Sequence, residues 1–235
     1  MPFSLTNAPA TFQTAMNSIF APLMRKGVLV FMDDILIYTP SLDSHTTLLQ
    51  QVFQLLQDHQ FFLKLSKCEF AKQELEYLGH TISPAGVATE NSKVKAVSEW
   101  PVPQNVKDLR GFLGLTGYYR RFIQHYAMIS RPLTNLLKKG VHFQWTQAAQ
   151  DAFNLLKTSL IQAPVLAVPN FQKSFVVETD ACDMGIGAVL MQDGHPISYL
   201  SKPLSVRNQA LSTYEKECMA ILLAIEKWRP YLLAQ

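Results

Sequence analysis

Gly27-Val28-Leu29-Val30-Phe31-Met32-Asp33-Asp34-Ile35-Leu36-Ile37-Tyr38-Thr39 sets two adjacent carboxylates between two apolar, β-branched runs. Each run has strand composition, and the Asp pair between them reads as a tight turn joining a hairpin. Anionic oxygens pinned between buried strands are expensive to desolvate and are tolerated mainly beside a cation, for which a hard divalent ion is suited. Taken alone, the pair favours an ordinary turn, because Asp is common in turns. The rest of the chain reverses that balance.

Upstream, Asn7-Ala8-Pro9 opens a predicted helix over 7–25, with a capping residue and an early proline. Downstream, Leu48, Leu49, Val52, Phe53, Leu55 and Leu56 recur at helical spacing and predict a helix over about 44–59. Short strands are expected at Phe61–Leu65 and Leu75–His80, with Ser83-Pro84-Ala85-Gly86 as a breaker. The β-α-β order implies a sheet with helices on one side.

Beyond Trp100-Pro101-Val102-Pro103 the character changes. Asn105, with Asp108 three residues later, has capping-box spacing and opens a helix through Phe122. A short helix is expected over Ile129–Lys138, and Thr146 caps another that carries Phe153, Leu156 and Leu160. A last unit begins near Phe171, with strands at Ser174–Thr179, Gly185–Gln192 and Pro196–Leu200. Ser212-Thr213-Tyr214-Glu215 is a capping box for a long final helix through Met219, Leu222, Ile225 and Trp228. The fold class is mixed α+β.

The 235 residues are 48% hydrophobic and 17% charged, enough to bury a sizeable core and too apolar for a disordered chain. Cys68, Cys182 and Cys218 are far apart, which argues against a zinc site or disulfide framework and fits a reducing compartment. No apolar run approaches spanning length, and no signal-peptide pattern opens the chain, so a soluble, unsecreted protein with no membrane partner is expected. Charge is uneven. Residues 1–60 set Arg25 and Lys26 against Asp33, Asp34, Asp43 and Asp58, a net −2. Residues 101–140 set Lys107, Arg110, Arg120, Arg121, Arg131, Lys138 and Lys139 against Asp108, a net +6. A basic middle between acidic flanks suits a polyanion gripped centrally and processed by metal-dependent chemistry at the sides; a solvated basic face has the same charge.

Two further constellations carry chemistry. Gly111, Gly114 and Tyr118 fall on one helix face, which Lys107 and Arg121 extend. Each glycine forgoes about 1 kcal/mol of helix stability relative to alanine, so something must approach the backbone closely: a ligand, or equally a second helix packed into the notch. Near the end of the chain, Asp180 closes a buried strand and Glu217 shares a helix face with Ala220, Ala224 and Trp228. A carboxylate on an apolar rim needs a partner or a metal. Glu215 is assigned to capping and Asp183 to a turn.

The run Met1-Pro2-Phe3-Ser4-Leu5-Thr6-Asn7-Ala8-Pro9-Ala10-Thr11-Phe12-Gln13, then Val30–Leu36, Leu63-Lys64-Leu65-Ser66-Lys67-Cys68-Glu69-Phe70 and Tyr77-Leu78-Gly79-His80, resembles in order the palm of a reverse transcriptase, most closely that of gypsy-type LTR retrotransposon Pol polyproteins. The resemblance implies two-metal phosphoryl transfer with Mg²⁺ (or Mn²⁺), with Asp33 a metal ligand and Asp34 its partner. It places Phe31 and Met32 beside the primer end and the incoming dNTP, and Phe3 and Ser4 at the border of the nucleotide pocket. Tyr77, Leu78, Gly79 and His80 would hold the primer strand; Lys67 is a weaker, phosphate-proximal candidate. Ser4 stands where the family usually has glycine, and Phe31 replaces a usual tyrosine. The basic helix resembles the thumb element that tracks the minor groove of an RNA/DNA template–primer duplex. There Gly111 and Gly114 would admit sugar edges, Tyr118 would pack on them, and Lys107, Arg110 and Arg121 would meet phosphates. Phe175–Asp183 and the segment around Glu217 resemble an RNase H domain, in which Asp180 and Glu217 match the first two metal-binding carboxylates.

The implied organisation is a partial palm without fingers over 1–82, a thumb over 83–140, and a connection with the first part of an RNase H-like α/β domain over 141–235. The family pattern places a third palm carboxylate upstream of Met1 and two further acidic residues beyond Gln235. The 235 residues alone are therefore expected to be inactive in both polymerisation and RNA degradation. The alternative is a non-catalytic nucleic-acid-binding remnant of a decayed element. Oligomerisation with other Pol segments and an intracellular location, in a cytoplasmic virus-like particle or the nucleus, complete the expectation.

Overall fold

The computed structural model describes residues 6–233. Contacts divide the chain into two compact units, residues 1–77 and 78–235.

In the first unit, helix α1 (Ala8–Phe20) starts with Pro9 in its first turn, where a missing amide hydrogen is harmless. Strands β1 (Val28–Phe31) and β2 (Asp34–Ile37) pair antiparallel, with Val28 opposite Ile37 and Phe31 opposite Asp34. Helix α2 (Leu42–Asp58) is opened by a reciprocal Ser41–Ser44 capping box. Leu48, Val52 and Leu56, spaced by four, face Met16, Phe20, Val28 and Val30 to make this unit's core. The strand expected at Phe61–Leu65 is absent. That segment runs without ladder pairing into a 3₁₀ turn at Leu65–Lys67, and Phe62 is 95% exposed. An apolar run signals a strand only where a neighbour supplies hydrogen bonds, and none does here. Strand β3 (Leu75–Tyr77) closes the unit.

The second unit opens with the hairpin β4 (His80–Ser83) and β5 (Gly86–Thr89), so the expected breaker Ser83–Gly86 is its turn. Helix α3 (Asn91–Ser98) precedes α4 (Val106–Tyr118). Asn105 caps α4 by accepting from the Asp108 amide at 3.0 Å, and Asp108 reaches back to the Asn105 amide group at 2.9 Å. Helix α4 ends at Tyr118 and tightens into a 3₁₀ turn over Arg120–Phe122, earlier than the sequence suggests. The single helix expected at Ile129–Lys138 is two short ones, α5 (Tyr126–Ile129) and α6 (Arg131–Asn135), and Pro132 sits in the first turn of the second. Thr146 caps α7 (Gln147–Ile161) as read, and Phe153, Leu156 and Leu160 pack against Leu109 and Phe112 of α4.

A three-stranded antiparallel sheet follows: β6 (Val176–Ala181), β7 (Gly185–Gln192) and β8 (His195–Pro203), in that order. Asp193-Gly194, both left-handed (φ 51° and 76°), makes the tight β7–β8 turn, as an Asp-Gly pair is suited to do. After the short α8 (Val206–Gln209), the Ser212–Glu215 capping box starts α9 (Thr213–Leu232). Ala224 and Trp228 of α9 bury against Leu190 and Ile197, and Ala220 against Ile186.

Candidate functional site

The turn of the β1–β2 hairpin is Met32-Asp33, one residue earlier than the expected Asp pair, and Asp34 opens β2 opposite Phe31. Both carboxylates are exposed, because the strands bury only one face and the turn projects past it. The expected burial between apolar walls does not hold; what survives is the chemistry of two adjacent, exposed carboxylates. Among the described residues neither forms a salt bridge. Phe31 is 52% exposed beside them, and Met32 is half-buried.

Met32 holds a left-handed backbone (φ 51°), which is unfavourable for a residue with a side chain. Gln13 of α1 fixes it: its Oε1 accepts from the Met32 amide at 2.6 Å while its Nε2 donates to the Val30 carbonyl at 3.2 Å. No local pattern in the sequence marks this latch, although Gln13 ends the Met1–Gln13 block that resembles the family. Tyr77 belongs to the same unit. Burial first, and the Asp34 carboxylate second, push its phenol pKa up. Phe3 and Ser4 lie outside the described residues. Lys67 is in the exposed 3₁₀ turn.

In the second unit, Lys107, Arg110, Gly111, Gly114 and Tyr118 all stand on the exposed side of α4, opposite buried Leu109, Phe112 and Thr116. Among the described residues, a Cβ added at Gly114 would meet nothing within 4 Å, and one at Gly111 would touch only the Trp100 ring, at 3.4 Å. Helix packing inside this unit therefore does not explain the glycines. Arg121 does not extend the helix face. It belongs to the 3₁₀ turn, with its guanidinium 5.1 Å from the centre of the Phe122 ring.

Leu78, Gly79 and His80 converge on the end of α4. Tyr118 Oη donates to the Leu78 carbonyl and Tyr119 Oη to the Gly79 carbonyl, each at 2.6 Å. The His80 ring lies parallel to Tyr118 (5.4 Å, 11°) and edge-on to Tyr119 (5.6 Å, 78°). Among the described residues its buried Nδ1 has no hydrogen-bond partner. Burial, then Arg121, lowers the His80 pKa to about 4 against an opposing pull from Glu90.

Asp180 is exposed on β6, opposite Gly187 in register, and Glu217 is half-buried in the second turn of α9, which packs on β6. The buried face of α9 is Lys216, Ala220, Ala224 and Trp228; Glu217 lies one residue off it. Lys216 is 5% exposed and its Nζ sits 2.6 Å from Asp183 Oδ1, so Asp183 does more than turn the chain: it pairs a buried ammonium. That pairing holds the Asp183 carboxyl below its ordinary pKa. Glu215 accepts from the Ser212 amide at 2.8 Å, as capping requires.

Carboxylate oxygens are the donors a hard divalent cation prefers, so both acidic pairs fit such an ion in chemistry. Among the described residues, however, no three His, Cys, Asp or Glu side chains gather into one metal-binding group. No helix among them is long and apolar enough to cross a membrane.

Residues 1–82 match the family of reverse transcriptases (RNA-dependent DNA polymerases), and residues 145–235 match the RNase H-like domain found in reverse transcriptase. The chain is 47% identical, over its whole length, to the retrovirus-related Pol polyprotein from transposon 297 of Drosophila melanogaster. It is 37% identical to that from transposon opus of the same fly, and 35% identical to the transposon Tf2-3 polyprotein of Schizosaccharomyces pombe, each over 99% of its length. It spans only 22%, 25% and 18% of those three proteins. The fold matches the foamy viral protease–reverse transcriptase in complex with double-stranded DNA (TM-score 0.90) and with an RNA/DNA hybrid (TM-score 0.89). Both matches have 23% identity and cover all of this chain, and they cover 42% and 32% of those chains.

Proposed function

Because the chain belongs to the reverse transcriptase and RNase H-like segments of LTR retrotransposon Pol polyproteins, we propose that its second unit grips a template–primer duplex along the exposed face of α4. The observation that carries this reading is the glycine face itself. Gly114 opens onto free space and Gly111 touches only Trp100, with Lys107 and Arg110 beside them. A helix side bare of side chains lets a sugar edge reach the backbone, while flanking cations neutralise phosphates. In this reading residues 83–140 act as a thumb of gypsy-type organisation, 1–82 as part of a palm and 141–235 as a connection with an RNase H-like portion.

Asp33 with Asp34, and Asp180 with Glu217, would each hold Mg²⁺ or Mn²⁺, which when bound supplies Lewis-acid stabilisation of phosphoryl oxygens. The chain's own contribution at the first pair is orientation: Gln13 fixes the Met32 backbone and so aims the hairpin tip. Phe31 and Met32 offer an apolar surface to a primer end or dNTP, and Tyr77 stands close enough to Asp34 to feel its charge. Two carboxylates per site hold an ion weakly, so the 235-residue segment by itself is expected to incorporate no nucleotide. The intact protein would work inside the cell, in a particle or the nucleus.

Fluorescence anisotropy with a labelled RNA–DNA duplex tests the grip. Binding should weaken steeply with salt, and Lys107→Ala with Arg110→Ala should lower the slope of log K against log salt by about 1 per charge removed. A slope unchanged by both substitutions sinks the assignment. Incorporation of labelled dNTP on poly(rA)/oligo(dT) by this segment would overturn the expected inactivity.

A further inference from the structure

We propose that Tyr118 and Tyr119 are positioning residues that lock the Leu78-Gly79 turn to the end of α4, so that turn and glycine face meet a duplex as one rigid jaw. The proposal rests on the duplex-grip reading above and adds to it the device that fixes the jaw's geometry.

Two neighbouring side chains reach two consecutive carbonyls, each with a 2.6 Å hydrogen bond. Phenylalanine would fill the same aromatic space, so what calls for explanation is the pair of hydroxyls. Their acceptors lie on a turn in which both central residues are left-handed, Leu78 at φ 49° and Gly79 at φ 74°. A leucine is disfavoured there, and such a backbone persists only when its surroundings over-determine it. Gly79 leaves no slack, because a Cβ on it would stand 3.1 Å from the Tyr119 hydroxyl.

His80 seals the clasp. Its ring fills the angle between the two tyrosines, stacked on one and edge-on to the other, with Phe122 at 5.5 Å. Its low pKa keeps it neutral at ordinary pH, so the stack carries no charge. Gly114 and Tyr118 are one helical turn apart on the same side of α4. Tyr118, 54% exposed, therefore joins the glycine face to the turn. The resemblance-based expectation gave Tyr118 a direct contact with sugars. Its hydroxyl is engaged with the Leu78 carbonyl, so Tyr118 acts on a duplex through the turn as well.

The test uses the whole chain, a fluorescein-labelled RNA–DNA duplex, and amide hydrogen exchange at residues 78–80. Tyr118→Phe and Tyr119→Phe together should weaken duplex binding about tenfold, and each alone about threefold, from two lost hydrogen bonds. The salt slope should stay as in the parent, because no cation is removed. Exchange at 78–80 should speed up in parallel. Gly79→Ala, which pushes the turn from the opposite side, should reproduce the loss if the double variant fails to fold. Faster exchange with unchanged affinity would reduce the clasp to a stabilising contact and overturn the proposal. Failure of the parent chain to bind the duplex at any salt would instead overturn the grip reading, and the clasp's role with it.

Discussion

Two turns in this molecule each place a residue with a side chain in the left-handed region and are held in opposite ways. At the β1–β2 tip, Met32 is left-handed (φ 51°), and a single polar side chain, Gln13, restrains it from one flank, leaving Asp33 and Asp34 open to solvent. At Leu78-Gly79 the left-handed pair is held by two hydroxyls and walled by His80 and Phe122, with its carbonyls consumed. The first arrangement fixes a backbone while sparing the side chains it presents. The second spends the turn's own polar groups on being held. A turn that offers ligands is suited to the former, and a turn that transmits position is suited to the latter.

Breaking the second turn should cost most. Tyr119→Ala removes a fully buried ring and leaves the Gly79 carbonyl with only the longer Glu90 amide contact at 3.3 Å, and should lower stability by about 3–5 kcal/mol in urea unfolding followed by tryptophan fluorescence. Gln13→Ala leaves a half-buried Met32 amide without its partner and should cost about 1–3 kcal/mol, read by hydrogen exchange at residue 32. If the two losses proved equal, the contrast between a single latch and an aromatic clasp would collapse. Met32→Gly relieves the left-handed residue at the open tip and should stabilise the first unit by about 0.5–1 kcal/mol.

His80 supplies the smallest effect, a pH dependence specific to the second turn. Its folded pKa, about 4, lies below the ordinary value of 6.5. The unfolded chain thus binds the proton more readily, so stability is full above pH 6.5 and declines as pH falls from there toward 4. Half exposure screens the amplitude. His80→Phe should flatten that part of the stability–pH curve while keeping the stack; an unchanged slope would assign the titration to another group.

Much of this architecture was legible because the signals were local. The Asn105, Thr146 and Ser212 caps stand where their sequence patterns placed them, and Gly185–Gln192 is a strand to the residue. Phe61–Leu65 misled because hydrophobicity reports a wish to be buried, whereas a strand needs a hydrogen-bonding neighbour. The site was legible only in its residue types. Gln13 acts 19 residues from its acceptor's donor, Met32, and the tyrosines act 40 residues from the carbonyls they hold, separations that no periodicity encodes. The inward position on α9 belongs to Lys216 rather than Glu217 for a related reason. One residue turns a helix by about 100°, and two adjacent charged side chains beside small alanines do not reveal which of them points inward.

Gly114 has a consequence for how variation in this chain is to be understood. With no described residue within 4 Å of the place where its Cβ would stand, alanine fits there freely and should firm up α4 by about 1 kcal/mol. A screen that rewards solubility or heat resistance would therefore favour that replacement, and a screen that rewards duplex handling would reject it. Position 114 is one where the two kinds of selection give opposite answers, and a library sorted both ways would tell a fold-keeping residue from a task-keeping one without reference to any other protein.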